Sequence, residues 1–311
     1  MAGRRAQRGE HVLTAVWACR ARAARSRPGP VLVALACLLL LAASAQRAGA
    51  AEANGQPAPG YRFGVFPYLP ALTMDRIFGP IAASFAAELG RPVYLKTRST
   101  FEKFAEQLAK QAYDIIFVHP FFYVQAADRD GYLPLGRLDG QLSAIVLVPR
   151  ERPWRSWSEL AGKTVATPPA LAAVSELARV ALVDAGLIPG IDATIRPSRT
   201  KASCLEAVGV GAADACVLPR FVLPQMEVIG DGKLRIMAET PAINHLVFAA
   251  HRRVPAIDRS KLLALILSWP DTDQGRAILA AGSWPRFVRA HDADYAQVRE
   301  YGTRLRMLAH R

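Results

Sequence analysis

The chain has 311 residues, with 39 Lys and Arg against 26 Asp and Glu, a net charge of +13. That length accommodates two domains of ordinary size. No Lys/Arg cluster interleaved with aromatics occurs anywhere, which excludes nucleic acid as the expected partner.

The N-terminus reads apart from the rest. Seven arginines precede residue 30, and Val31 to Ala43 then forms an unbroken apolar run of 13 residues. Small residues follow, with A-x-A sites ending at Ala45 and Ala50. A basic segment, a short apolar segment and small residues make a secretory signal peptide, expected to span 1–50 and to be cleaved after Ala50 or Ala45. A membrane anchor would need about 20 apolar residues. Apolar residues follow Cys37, which argues against a lipoprotein. Removal of 1–50 leaves 31 basic against 25 acidic residues, a net charge of +6. A mildly basic exported protein suits a small anionic ligand. Cys204 and Cys216 also remain, in a compartment that permits disulfides. They read either as a bonded pair or as two small buried thiols.

Residues 51–60, "AEANGQPAPG", read as a polar tether. Strand and helix patterns then alternate. Tyr61 to Phe66 is a strand, and Asp75 to Leu89 an amphipathic helix with Ile77, Ile81, Phe85 and Leu89 at four-residue steps, stopped by Gly90. Strands at 92–97, 115–118 and 142–148 and helices at 100–111 and 121–128 complete a first series. A second series begins at Trp157, with strands at 163–166, 194–196, 215–218 and 234–238 and helices at 170–185 and 200–208. A strand at 245–250 and helices at 259–268, 273–280 and 293–301 close the chain. Alternating β and α predicts a parallel-rich α/β fold in two lobes. The first lobe is expected at 61–148 plus 243–311 and the second at 149–242, with two crossings, a hinge and a ligand cleft.

Ligands in such sheets bind beyond the carboxyl ends of strands. "DIIFVHPFFY" places His119 at such an end, Pro120 at the first position of a helix, and Tyr123 one turn on. Phe121 and Phe122 read as interlobe core, with Tyr123 in the cleft. Arg98 follows the second strand, as a ligand arm or a solvated charge beside the N-cap Thr100. Arg199, Thr200 and Lys201 occupy another strand-to-helix turn, as ligand contacts or a solvated basic turn. Arg220, after "CVLP", reads as an arm able to hold a carboxylate or phosphate in two places. His245 lies where the chain re-enters the first lobe, as a hinge or a cleft residue.

"YRFGVFPYLP", "YDIIFVHPFFYVQA", "SWSELAGKTVATP" and "EAVGVGAADACV" together resemble the phosphate/phosphite/phosphonate substrate-binding proteins of ABC transporters, over nearly all of 61–300. The resemblance implies a two-lobed type II periplasmic-binding-protein fold. It also implies a periplasmic protein that captures a small anion by lobe closure and delivers it to a membrane permease. Tyr68 and Tyr123 match tyrosines that line the cleft in that family. The family's Ser-Thr-Ser-Gly cradle is replaced by Thr167-Pro168-Pro169-Ala170, and His119 replaces a glycine. Alternatives kept open are a sensor acting on a membrane kinase and a binder of a non-phosphorus organic anion. The chain lacks G-x-S-x-G and H-E-x-x-H, so no enzyme, cofactor or metal is expected, and the protein is expected to act as a monomer.

Overall fold

The structure is a computed structural model that describes residues 60–225 and 233–308. The expected leader and residues 51–59 of the tether lie outside the described residues. The described residues form one compact unit, built on two mixed sheets.

The first sheet has six strands, ordered β13-β4-β12-β3-β1-β2. Its members are β1 (Tyr61–Val65), β2 (Val93–Lys96), β3 (Ile115–Val118), β4 (Tyr132–Leu138), β12 (Val247–His251) and β13 (Phe287–Arg289). Helix α1 (Ala71–Leu89) packs Met74, Ile77, Phe78, Ile81, Phe85 and Leu89 inward, matching the four-residue steps of the sequence. It ends at Gly90, whose φ of 64° is left-handed and cheap only for glycine. Helices α2 (Phe101–Ala109) and α3 (Pro120–Asp130) follow β2 and β3. Phe63, Phe78, Phe85, Phe117, Phe248 and Trp269 form the buried centre of this lobe. Burying each such side chain contributes about 2–3 kcal/mol relative to exposure. Gly64 lets the Tyr113 ring lie directly on β1, since a Cβ there would meet that ring at 2.5 Å.

The second sheet has five strands, ordered β10-β6-β9-β7-β8. They are β6 (Ala144–Pro149), β7 (Thr164–Thr167), β8 (Thr194–Pro197), β9 (Ala215–Pro219) and β10 (Leu234–Glu239). Helix α4 (Ala173–Asp184) follows β7, and α5 (Lys201–Gly209) follows β8. Cys204 on α5 and Cys216 on β9 are bonded, with Cα atoms 5.6 Å apart, so the disulfide alternative holds. Helices α6 (Ala256–Leu267), α7 (Asp273–Gly282) and α8 (Ala296–Leu308) complete the chain.

The parallel part of each sheet is confined to β2-β1-β3 and β8-β7-β9. Strands β12 and β6 run antiparallel to their neighbours β3 and β9. The reason is directional. A chain that has just crossed between lobes enters the new sheet from the cleft edge, whereas β3 and β9 run toward that edge. The first crossing also falls earlier than the sequence reading placed it. Residues 144–148, expected at the end of lobe one, pair with β9 and β10 in the second sheet. The two crossings are themselves paired, as β5 (Gln141–Leu142) and β11 (Ile243–Asn244) form an antiparallel ribbon. No described helix is long and apolar enough to cross a membrane.

Candidate functional site

The carboxyl end of β3, in the first lobe, faces the turn between β7 and α4, in the second, where His119 and Leu171 come close. His119 stands at the end of β3 and caps α3, its Nδ1 accepting from the Phe122 amide at 3.4 Å. That bond assigns the proton to Nε2. The ring is 2% exposed, and Nε2 has no hydrogen-bond partner among the described residues. The Leu171 carbonyl of lobe two, just before α4, is near enough to raise the ring's basicity slightly, without hydrogen-bond geometry. Burial dominates and pushes the His119 pKa down to about 3, so the imidazole is neutral. His119 thus presents a neutral, buried N–H donor toward the start of α4.

Rings enclose it. Phe122 and Phe101 stack on His119 at 4.2 and 6.4 Å, and Phe66 meets it edge-on at 5.3 Å. Tyr68 stacks on Phe66 at 4.7 Å. Its hydroxyl donates to no described residue, and burial raises its pKa.

On the opposite wall, α4 starts without a side-chain cap. The amides of Ala173 and Val174 find no acceptor among the described residues. An uncapped helix start carries partial positive charge. Thr167 and Ser175 are fully buried, and both hydroxyls donate to the Pro168 carbonyl, at 2.9 and 3.0 Å. The turn is therefore held by its own hydroxyls, and what it offers outward is backbone N–H.

The other expected residues fall into three groups. Lys201 and His245 come together through Phe221, a half-exposed residue that the sequence reading did not single out. The Lys201 ammonium lies 5.5 Å from the Phe221 ring centre, and the His245 ring 5.8 Å from it. Burial lowers the His245 pKa to about 4. Arg98 and Arg199 have no carboxylate partner among the described residues. Arg98 donates to the Thr97 carbonyl at 2.8 Å, and Arg199 is exposed.

The third group is held by internal bonds. Tyr123, expected in the cleft, is fully buried, with its hydroxyl donating to Asp292 at 2.7 Å and its ring 4.5 Å from Tyr295. The helix turn that brings it near His119 in sequence points it instead at the segment before α8. Arg220, expected as a ligand arm, pairs with Glu239. Glu239 also accepts from the Ser143 hydroxyl at 2.5 Å, so this arginine fastens the hinge. Thr200 caps α5 in a reciprocal box with Ser203, which uses its hydroxyl.

The family profile described as "ABC transporter, phosphonate, periplasmic substrate-binding protein" matches residues 63–295. The chain belongs to this family. It is therefore a transport substrate-binding protein, with solute capture as its function. The family is periplasmic and works with a small ligand and a membrane permease. None of the curated proteins matches the sequence at a significant level. Among solved structures, the fold is similar to PhnD1 of Prochlorococcus marinus in complex with methylphosphonate. The identity is 16%, the TM-score 0.68, and the match covers 79% of this chain and 98% of that one. It is also similar to a binding protein of an ABC phosphonate transporter from Pseudomonas aeruginosa, with 12% identity, TM-score 0.66 and coverage of 81% and 88%. A Xanthomonas citri protein bound to ATP shows 14% identity, TM-score 0.69 and coverage of 81% and 98%. All have the two-lobed architecture seen here.

Within this substrate-binding protein, sequence reasoning put His119 at a strand end and, of the rings around it, named Phe122 but not Phe66 or Phe101. Phe66 and Phe101 each directly follow a strand end or an N-cap. Position at the cleft edge, rather than any motif, was the signal that could have found them.

Proposed function

We propose that this protein captures a small phosphorus oxyanion between the lobes and delivers it to an ABC permease. The observation that carries this is the buried His119 Nε2–H, without an acceptor, facing the uncapped start of α4. The Tyr68 hydroxyl and the Ala173 and Val174 amides add donors of the same kind. Arg199 and Lys201, beside the start of α5 after the carboxyl end of β8, have no carboxylate partner among the described residues and favour an anion over a cation. Oxyanion oxygens supply the acceptors these groups lack. The relatives bound to methylphosphonate and ATP agree with a phosphorus-centred head. Export through cleavage after Ala50 or Ala45 and lobes divided near residues 143 and 243 belong to this reading.

The test is thermal unfolding of the processed protein, residues 51–311, with phosphate, phosphite, methylphosphonate, 2-aminoethylphosphonate, sulfate and small carboxylates. At 100 times the dissociation constant a ligand stabilises by about 2.7 kcal/mol. A shift with phosphorus anions is expected, and its loss in His119→Ala. A shift confined to carboxylates sinks the phosphorus reading. The turn at Thr167-Pro168-Pro169-Ala170 favours a second outcome, an organic anion held by backbone N–H, because its side-chain hydroxyls are occupied.

A further inference from the structure

His245 repeats the chemistry of His119 at the neighbouring strand end. Val247 of β12 pairs with Val118 of β3, so His245 lies two residues before that pair and His119 one residue after it. The two strand ends are one spacing apart, about 5 Å. The His245 Nδ1 accepts from the Leu246 amide at 2.8 Å, which assigns the proton to Nε2, as in His119. The residue is 8% exposed, and its Nε2–H has no acceptor among the described residues. A buried donor left unmet is costly, and a ligand acceptor removes that cost. The rings around His119 are Phe66, Phe101, Phe121 and Phe122, whereas the ring beside His245 is Phe221, 52% exposed. The two donors are therefore separate stations.

The second station carries a cation. Lys201 is exposed, and its ammonium stands over the same Phe221 ring. It occupies the first turn of α5, which contains no acidic residue. The helix dipole disfavours a cation there, so the turn lacks the negative charge that would neutralise it. The carboxylates of the surrounding segments are paired or placed apart. Glu239 pairs with Arg220 and accepts from Ser143, and Asp294 pairs with Arg137. Glu176 on α4 lies 3.5 Å from Arg179. Glu206 falls about 140° round α5 from Lys201. Glu102, exposed at the start of α2, follows β2, three strand spacings or about 14 Å from β12.

We infer that His245 and Lys201, grouped on Phe221, bind a second acidic group of the same ligand, so that the solute is a small diacid: an oxyanion head and a second anionic group on a short spacer. This rests on the proposed site and adds the chemistry of the ligand's other end. The head accepts from His119 Nε2–H and the α4 amides. The second group accepts from His245 Nε2–H and brings its charge to the Lys201 ammonium. An amide in its place could accept from His245, but it offers Lys201 no charge and leaves its own N–H groups to be satisfied.

The test removes the second charge while keeping the shape. Calorimetry on the processed protein uses phosphonoacetate, 3-phosphonopropanoate and malonate, each beside the amide formed from one carboxylate. At least one phosphonate diacid is expected to bind at least tenfold tighter than its amide. In Lys201→Met that ratio should fall below threefold. In His245→Asn, which keeps an acceptor for the Leu246 amide, it should fall at least threefold. Cooperative melting shows that each variant folds. Amides that bind as tightly as the acids, or a ratio unchanged in either variant, overturn the inference and leave the proposed function standing. Binding of malonate over its amide, with no phosphonate bound, supports the second acidic group and removes the phosphorus head. Silence from all six overturns the inference, and methylphosphonate run alongside decides whether the proposed function falls with it.

Discussion

Acidification should destabilise this protein through His119, and the size of the effect follows from burial. An unfolded histidine titrates near 6.5 and the folded one near 3. The folded pKa is depressed, so the neutral ring's contribution is fully present above about pH 6.5 and is lost as pH falls toward 3. At pH 5 the unfolded chain holds nearly one proton at this site and the folded chain almost none. The loss between pH 8 and pH 5 is then about 2 kcal/mol. His119→Asn isolates it, because asparagine is also a good N-cap and keeps an acceptor for the Phe122 amide. His245 and the other groups titrate in both proteins and cancel in the difference. Urea unfolding at both pH values is the assay. The wild type should lose about 2 kcal/mol more than the variant, or about 4–8 °C of extra melting shift for a protein of this size. Parallel losses, within about 0.5 kcal/mol, would refute the reasoning. They would mean that the folded ring takes its second proton, on Nδ1, about as readily as the unfolded one does.

Three further outcomes are expected. Tyr123→Phe removes the hydroxyl bonded to Asp292 and should cost about 1–2 kcal/mol by chemical denaturation. Its ligand affinity should stay within twofold, and a tenfold loss would return Tyr123 to the cleft. Replacing Cys204 and Cys216 by alanine opens a short loop closed over a sequence separation of 12 residues, which should cost roughly 3 kcal/mol in the chain-entropy account. An unchanged urea midpoint would count against the bond. Gly64→Ala places a methyl against the Tyr113 ring and should cost about 1–3 kcal/mol, read as a lowered melting temperature. A neutral result would show that the ring moves aside freely.

Much of the lobe architecture was legible because it is written locally. The spacing of Ile77, Ile81, Phe85 and Leu89 and the stop at Gly90 specify α1 without reference to anything distant. The strand β4 was not legible, since Pro134 argues against an interior strand. It is tolerated because β13 pairs only with Gly136 to Leu138, leaving β4 locally an edge at Pro134. The strand β13 has three residues, too few to show alternation. At the site, His119 was readable from strand-end logic, but the partners that claim Tyr123 and Arg220 were not. Tyr123 meets a residue 169 positions away, and Arg220 one 19 positions on, at the end of β10. Such pairings are set by how the chain returns, and no local pattern records them.

The paired crossings have a mechanical meaning. With Ile243 opposite Leu142 and Asn244 opposite Gln141, the two crossings are held side by side, so a bend at one is shared by the other. The connection between the lobes therefore acts as a single joint rather than as two independent tethers.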